Sequence, residues 1–169
     1  MAKIELPPTK SSLRRLKENL VFAHEGHDLL NQKREILAIE IVKCIGRMRR
    51  TESEFKTALY GIYEAYRIAA LDMGSDALTL KSSSENRRYF LNMKFAGLMG
   101  LRLPDVRLSF KKARITGMAG TTASYDAAKE QSLKAIEKLV EYANITKSII
   151  MLSRELRKVQ RRVNVLEKI

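Results

Sequence analysis

The sequence is poor in the residues that interrupt or cross-link a fold. Among its 169 residues it has three prolines, eight glycines, no tryptophan and one cysteine. The scarcity of turn residues argues against a β-sandwich and suits long helices. A single cysteine excludes an intrachain disulfide and a cysteine-based metal cluster. No run of about 18 apolar residues occurs, so the sequence predicts no membrane-spanning segment.

The charge is strongly unbalanced. The chain has 32 lysines and arginines against 19 acidic residues, which gives a formal net charge of +13. This surplus indicates acidic partners without identifying them. The first ten residues lack the apolar core of a signal peptide. We therefore expect a reducing, cytosolic compartment.

One apolar seam runs through the first part of the chain. From Leu13 to Ala69, seventeen positions follow alternating spacings of three and four, and fourteen of them are apolar. A heptad pattern of this length predicts a coiled-coil helix rather than an ordinary surface helix. The three exceptions are His27, Arg34 and Thr51.

The ends of this first helix are marked by capping and breaking residues. Thr9 follows Pro7-Pro8 and is the expected N-cap, whereas Gly74 marks the end. A helix over residues 9–73 would be about 95 Å long at a rise of 1.5 Å per residue. We therefore expect it to project as a stalk.

Residues 121–169 repeat the pattern. The stretch from Ile145 to Leu166 keeps the same spacing, and a second stripe runs from Leu133 to Ala143. The two stripes are out of phase near Tyr142 to Ile145. Such a change of phase alters the local supercoil or marks a place where a third element docks. Thr121 or Thr122 is expected to cap this helix.

Two long amphipathic helices joined by residues 74–120 predict a hairpin. Matching the seams places Leu30 opposite Val163 and Ile41 opposite Leu152. Parallel self-association of each helix is the competing arrangement, because heptads alone do not exclude it. The predicted fold class is mainly α: a long antiparallel two-helix coiled-coil hairpin with a small central head of β-hairpin and short-helix structure.

The central head, residues 74–120, differs in kind. Tyr89 to Phe95 is rich in aromatic residues, and Leu101 to Phe110 alternates apolar and polar residues with the period of a strand. With Gly97 and Gly100 between them, these runs predict a β-hairpin at the stalk end away from the termini. Pro104 assigns its strand to an edge or a bulge. The residues expected to form a small local core are Tyr89, Phe90, Phe95 and Phe110.

Basic residues concentrate in several places. From Lys81 to Arg114 there are nine basic residues against two acidic ones. Within that stretch the expected outward contacts are Arg102, Arg107, Lys111 and Lys112. Three further clusters lie on the predicted helices: Arg14-Arg15-Lys17, Arg47-Arg49-Arg50 and Arg157-Lys158-Arg161-Arg162. Such faces bind nucleic acid, an acidic protein collar or a membrane surface, or they are simply solvated. The stalk faces lack the aromatic stacking residues or compact recognition helix that nucleic-acid binding would require.

No catalytic constellation is apparent. His24 and His27 have a spacing that a helix allows for metal ligands, but we interpret them as seam and flank residues of a coiled coil. Cys44 falls on the seam and is interpreted as a small buried hydrophobe rather than a nucleophile. The sequence contains neither a P-loop nor a Gly-x-Ser-x-Gly elbow. We therefore predict a non-catalytic chain without cofactor or metal.

Four segments share a family pattern. They are Pro8-Thr9-Lys10 with its continuation through Gly26 to Glu35, Met99-Gly100-Leu101-Arg102-Leu103-Pro104, Thr121 to Asp126, and Arg161-Arg162-Val163-Asn164-Val165-Leu166-Glu167. Together they resemble the D subunit of the V-type and A-type rotary ATPases over nearly the whole chain. Members of that family usually continue past the last motif, whereas this sequence stops at Ile169. A truncated chain or a short variant is therefore expected.

The resemblance implies a central rotor shaft. The paired helices of that family stand inside a hexamer of catalytic and non-catalytic subunits, which bind and hydrolyse ATP. The shaft turns a membrane rotor ring through a socket subunit, and the small F subunit of the stalk clasps it. Such a chain lies in the cytoplasm at the membrane periphery, without membrane insertion and without nucleic acid.

The same resemblance assigns the basic residues to partners. The clusters Arg14-Arg15-Lys17 and Arg157-Lys158-Arg161-Arg162 are expected to face the hexamer. The central head, with its basic residues, is expected to contact the small F subunit and the socket subunit. The charge taken alone supports an alternative function, that of a basic coiled-coil scaffold or nucleic-acid-binding protein.

Overall fold

The computed structural model describes residues 7–84, 89–110 and 120–167. In chain order the elements are α1 (Lys10–Met73), α2 (Ser75–Ser84), β1 (Tyr89–Leu98), β2 (Leu101–Phe110) and α3 (Ala123–Leu166). The predicted class, two long helices with a small central β-hairpin and a short helix, is confirmed. The chain divides into two compact units, Met1–Ile41 with Leu152–Ile169, and Val42–Met151.

The two long helices begin at capping threonines. Thr9 Oγ1 accepts a hydrogen bond from the backbone N–H of Ser12 at 3.2 Å, and Thr122 Oγ1 accepts one from that of Tyr125 at 3.4 Å. Each bond satisfies an N–H group that has no partner inside the helix. Gly74 follows the end of α1 with a φ of +82°, in the left-handed region that favours glycine. The predicted caps are therefore confirmed, with the second threonine of the pair capping α3.

In the unit of residues 1–41 and 152–169, α1 and α3 pack side by side. Lys33 Nζ donates a hydrogen bond to Glu155 Oε1 at 3.1 Å, and His27 Nε2 lies 3.7 Å from Glu167 Oε1. Because the residue number on α3 rises as that on α1 falls, the two segments are antiparallel. The buried hydrophobic residues of this unit are Leu37, Leu152, Val159 and Val163.

In the unit of residues 42–151, the helices are again antiparallel. Lys138 Nζ donates to Glu54 Oε2 at 2.6 Å, and the rings of Phe55 and Tyr142 stack with centroids 6.3 Å apart. These pairs, like those of the other unit, lie within about one and a half helical turns of the predicted register. On α1 the buried seam residues of this unit are small: Cys44, Thr51 and Ala69. On α3 the buried residues are Tyr125, Ala128 and Ala135, which do not belong to the predicted stripe from Leu133 to Ala143.

The short helix α2 closes one end of this second unit. Leu78 of α2 is buried against Ala69, Tyr125 and Ala128 in one hydrophobic cluster. The sequence placed this segment in the central head without predicting the contact. The cluster thus packs α2 against the end of α1 and the start of α3.

The β-hairpin has a two-residue turn. Met99 and Gly100 have φ values of 50° and 81°, and Leu98 pairs with Leu101 on either side of them. Turns with positive φ at both central residues match the twist of antiparallel strands. Pro104 faces Phe95 in a continuous register, so β2 has an edge proline and no bulge at that point.

The hairpin lies along α3 rather than beyond the helix ends. Within the second unit, the backbone N–H of Val106 donates to Asn144 Oδ1 at 3.0 Å, and Asn144 Nδ2 donates to the Val106 carbonyl oxygen at 2.7 Å. This corrects the predicted position at the stalk end. It also confirms that a third element docks where the apolar stripes of α3 change phase.

The predicted local aromatic core is wrong. Phe90 and Phe95 are 48% and 60% exposed. The rings of Tyr89 and Phe110 do meet edge-on, with centroids 5.7 Å apart, but Tyr89 is still 47% exposed. The physical reason is that α3 binds the edge of β2, so the side chains of β1 remain largely exposed on both faces of the strand.

Candidate partner-binding surfaces

The first basic cluster lies near the start of α1. Arg14, Arg15 and Lys17 are all exposed. Arg14 Nε pairs with Glu18 Oε1 at 2.9 Å one helical turn away. Both side chains of that pair are largely solvated, so the pair adds little stability and leaves the cluster basic. The structure thus places these three residues on solvent, as a partner contact requires.

Apolar residues accompany this cluster. Leu13, Leu16 and Leu20 continue the seam of α1 but are 55%, 39% and 56% exposed. Glu167, just after the end of α3, lies near His27, and Leu20 lines a shallow pocket together with Leu166. The described residues therefore end beside Leu20 and do not extend along Leu13 and Leu16. The coiled-coil prediction is therefore correct for the spacing but not for burial at this end of α1.

The second basic cluster lies on α3. Arg157, Lys158, Arg161 and Arg162 are exposed, and they alternate with the buried Val159 and Val163. The two terminal clusters belong to the same unit. Because His27 lies beside Glu167, Arg162 lies roughly five residues further along α1 than His27. At 1.5 Å per residue, Lys17 and Arg162 are then about 20 Å apart along the helix axis. The structure thus gives two separate patches rather than one.

The basic residues of the central segment are only partly described. Arg102 and Arg107 are exposed, and Arg107 Nη2 lies 3.2 Å from Asp105 Oδ2. Lys111 and Lys112, also predicted as partner contacts, lie outside the described residues. The cluster Arg47-Arg49-Arg50 is exposed, and its last arginine pairs with Glu54 at 3.1 Å.

An ionic network joins α1 to α3 in the second unit. Lys138 Nζ lies 2.6 Å from Glu54 Oε2 and 3.4 Å from Glu141 Oε2. Hydrogen bonds from Lys138 and then Arg50 hold the pKa of Glu54 below its ordinary 4.5. The hydrogen bond to Glu54 raises the pKa of Lys138 above 10.5. Sequence analysis missed this network because its members come from distant segments.

Glu155 is a second residue that sequence analysis missed. Its side chain is only 17% exposed, lies 3.1 Å from Lys33 Nζ across the helices and 3.9 Å from Lys158 Nζ on its own helix. The carboxylate of Glu155 therefore balances part of the positive charge of the second cluster. A carboxylate three residues before Lys158 was the available signal, since such spacing allows a pair on a helix.

The candidate metal and thiol positions have structural surroundings. His27 lies within hydrogen-bond distance of Asn31 Nδ2, at 3.2 Å from Nε2. Within residues 7–84, 89–110 and 120–167, no three or more His, Cys, Asp or Glu side chains are grouped in a way that could hold a metal ion. Cys44 is 1% exposed, which confirms its prediction as a buried seam residue.

Among the described residues, no helix combines the length and the apolar character needed to cross a membrane. The surface of the long helices is instead lined by the charged clusters described above.

Comparison with known proteins defines the class. Residues 12–169 match the family model for the D subunit of ATP synthase. The chain belongs to the ATP synthase D-subunit family. The resemblance found in the four sequence segments is therefore confirmed.

Individual relatives agree with the family match. The D subunit of the A-type ATP synthase of Methanosphaera stadtmanae is 32% identical over 164 residues, which cover 95% of this chain and 77% of the relative. The D subunit of the A-type ATP synthase of Pyrococcus abyssi is 29% identical over 97% of this chain and 78% of the relative. The D subunit of the V-type ATP synthase of a Thermoanaerobacter species is 26% identical over 99% of this chain and 81% of the relative.

Proposed function

We propose that this chain is the central rotor shaft of an A- or V-type ATPase. It transmits torque between an ATP-hydrolysing hexamer and the ion-translocating rotor in the membrane. Its partners are the catalytic and non-catalytic subunits of the hexamer, the small F subunit of the stalk and the socket subunit above the rotor ring. The chain itself is non-catalytic and works at the cytoplasmic periphery of the membrane. The observation that carries the proposal is the family membership of a chain built from two long antiparallel helices.

The pairing of the helices supports a mechanical role. A single helix bends easily, whereas two helices that are packed along a common seam and cross-linked by ion pairs resist bending and twisting together. Lys33–Glu155 in one unit and Glu54–Lys138 in the other tie α1 to α3 in this way. Torque applied to one helix is therefore carried by both.

The exposed basic clusters support contacts that permit rotation. Charges on solvated side chains attract an acidic collar over several ångströms and are screened by salt, without locking one geometry. Arg15 and Arg162 are examples of such exposed positions. We assign the clusters Arg14-Arg15-Lys17 and Arg157-Lys158-Arg161-Arg162 to the hexamer, and Arg102, Arg107, Lys111 and Lys112 to the partners of the central segment.

A rotation assay tests the proposal. The complex is assembled from its hexamer and this chain, with a biotin-acceptor peptide inserted at the exposed turn between Met99 and Gly100 to hold a bead. We expect ATP to drive unidirectional rotation of the bead, and the chain alone to hydrolyse no ATP. A bead on a non-catalytic subunit of the immobilised hexamer should stay still. A hexamer that hydrolyses ATP at the same rate with and without the chain, while the bead does not turn, would contradict the proposal.

The charge of +13 supports a second candidate, a basic scaffold or nucleic-acid-binding protein. The two functions differ in one simple experiment. A rotor subunit co-purifies with ATPase catalytic subunits. It also elutes from a nucleic-acid column at physiological salt, because salt weakens binding that depends on counterion release. A nucleic-acid-binding protein stays on that column. Membership of the ATP synthase D-subunit family favours the rotor.

A further inference from the structure

The outer edge of β1 is open. In the two-stranded sheet, α3 occupies the outer edge of β2 through the paired hydrogen bonds between Asn144 and Val106. The N–H and C=O of Val106 point away from β1, toward Asn144, so Val106 and its register partner Met93 form a pair without mutual backbone hydrogen bonds. The N–H and C=O of Met93 therefore point away from β2. By the same alternation, Leu91 and Phe95 also point their backbone groups outward. The described residues provide no strand or helix that covers this edge.

The same strand presents apolar side chains to solvent. Tyr89, Leu91, Met93 and Phe95 alternate along β1, so they share one face of the hairpin. They are between 47% and 63% exposed. Natural proteins usually shorten, charge or cover an edge strand of this kind, because it is a template for pairing with another chain. An uncovered ten-residue strand with four exposed apolar side chains on one face therefore indicates a binding surface.

The positive charge of the hairpin indicates which kind of strand can bind at the edge of β1. On the opposite face of β1, Lys94 lies between Asn92 and Ala96. The described part of the hairpin has Lys94, Arg102 and Arg107 against Asp105 alone, so two copies of it would repel each other. A strand that alternates apolar and acidic residues fits both faces: its apolar side chains meet Leu91, Met93 and Phe95, and its carboxylates meet Lys94.

We propose that the outer edge of β1, from Tyr89 to Gly97, binds an extended segment of a partner protein as a third strand. The segment alternates apolar and acidic residues. Backbone hydrogen bonds give the affinity and the alternating side chains give the selectivity, as in other cases of strand addition. This inference rests on the proposed function only in that the central segment contacts a protein partner.

A peptide titration of the full chain tests the surface. The probe is a synthetic peptide of about ten residues, the length of a typical edge strand, that alternates valine and glutamate. We expect it to bind with a dissociation constant of about 1 mM or tighter, followed by NMR chemical shifts. A peptide that alternates valine and lysine is the matched control and should bind at least about tenfold more weakly. Equal binding of the two peptides would overturn the charge argument.

Amide hydrogen exchange tests the mode of binding. Without peptide, the outward amides of Leu91, Met93 and Phe95 should exchange fast, whereas the inward amides of Asn92 and Lys94 should be protected. Saturation with the glutamate peptide should protect the outward set at least about tenfold and leave the inward set unchanged. Binding without new protection of the outward amides would overturn strand addition.

Two variants isolate the backbone contribution. Met93→Pro and Met93→Ala both remove the side chain, but only the proline also removes an outward N–H while sparing the bonds to β2. The proline variant should bind the glutamate peptide at least about fivefold more weakly than the alanine variant, because it loses one net hydrogen bond. Protection of Asn92 and Lys94 shows that the hairpin persists in each variant. Equal affinity of the two variants would overturn the proposal.

The remaining outcomes are also decisive. N-methylation of alternate peptide residues blocks strand pairing from the probe side, and it should abolish binding to the unaltered protein. Concentration-dependent dimers that disappear in Met93→Pro would identify a second copy as the occupant and overturn the proposal. A chain that drives bead rotation but does not bind the glutamate peptide loses this inference alone, whereas peptide binding without rotation leaves the inference standing and refutes the rotor function.

Discussion

Asn144 completes the outer edge of β2 by hydrogen bonding to both backbone groups of Val106. Its amide accepts at 3.0 Å and donates at 2.7 Å, as a neighbouring strand would do. One side chain of α3 therefore satisfies a donor and an acceptor that would otherwise lie at an open sheet edge. These two bonds join the middle of the hairpin to α3.

Replacement of Asn144 should weaken the attachment of the hairpin to α3. Asn144→Asp keeps the acceptor for the Val106 N–H but sets a carboxylate oxygen against the Val106 carbonyl oxygen, and Asn144→Ala loses both bonds, so the free energy of unfolding should fall by about 2 kcal/mol in each variant. The measurement is chemical denaturation with amide exchange at Val106. Asn164→Ala, on an exposed position of the same helix, is the matched control and should change little. Equal stability of all three variants would show that the contact does not hold the hairpin.

The core of the first unit should be sensitive to loss of volume. Leu37 is fully buried against the seam, whereas Leu29 is 66% exposed on the same helix. Leu37→Ala should lower the free energy of unfolding by about 2–5 kcal/mol, because it leaves a cavity. Leu29→Ala should change it by less than about 1 kcal/mol. Denaturant titration of the isolated chain measures both, and similar losses for the two variants would contradict the described packing.

The Glu54–Lys138 pair should make stability depend on pH in a defined direction. The pKa of Glu54 is lowered in the folded state, so its contribution is present above 4.5 and is lost as pH falls through the lowered value. The pKa of Lys138 is raised, so its contribution is present below 10.5 and is lost as pH rises through the raised value. A double-mutant cycle of Glu54→Gln and Lys138→Gln, followed by thermal melts, isolates the coupling. We expect coupling at neutral pH and none in strong acid; coupling that survives in acid would exclude the ionic pair as its source.

Charge reversal on α3 should impair the assembled motor but not the fold. Arg161→Glu with Arg162→Glu changes two exposed residues and should slow ATP-driven rotation about fivefold at low salt. The effect should diminish as ionic strength rises. Arg67→Glu, with an arginine whose side chain is 71% exposed, is the control in the other unit. Unchanged rotation in the double variant, or an equal loss in the control, would remove the assignment of this cluster to the hexamer.

The turn of the β-hairpin should be open to stabilisation. Met99 has a φ of 50°, a conformation that costs an ordinary side chain about 1 kcal/mol. Met99→Asn creates an Asn-Gly turn and should recover most of that energy. The readout is slower exchange of the amides of Asn92 and Lys94. Gly100→Ala introduces a side chain at a φ of 81° and should have the opposite effect; a shift of both variants in one direction would contradict the turn geometry.

The helices were predictable because their signals are local. Capping by Thr9 and termination at Gly74 follow from residues at the ends themselves, and the heptad seam repeats without need of a partner. The change of phase near Tyr142 to Ile145 left two interpretations open, a local change of supercoil or a docking element, and the hairpin docks there. Its contact residue, Asn144, was not identified, because an asparagine at that place looks the same in sequence whether it binds a strand or water.

The burial of the hairpin was not predictable in the same way. Alternation and aromatic residues indicated strands correctly, but they carry no information on which edge or face meets a helix. Phe95 is 60% exposed because α3 reaches β2 at its edge. Leu13 and Leu16 show the same limit on α1, since an apolar seam predicts burial only where a facing helix is present. Long-range pairs such as Glu54 with Lys138 depend on the register, which seams define only to about a turn.

The burial of Cys44 gives the chain a useful chemical property. It is the single cysteine of the sequence, and 1% of its surface is accessible. A thiol so enclosed reacts slowly with maleimides, because the reagent needs an accessible thiolate. A cysteine placed at an exposed position such as Arg15 or Lys94 is then the only readily labelled group. The unaltered protein is thus a low-reactivity control when fluorescent dyes, spin labels or reversible disulfide cross-links to neighbouring subunits are attached to an introduced cysteine.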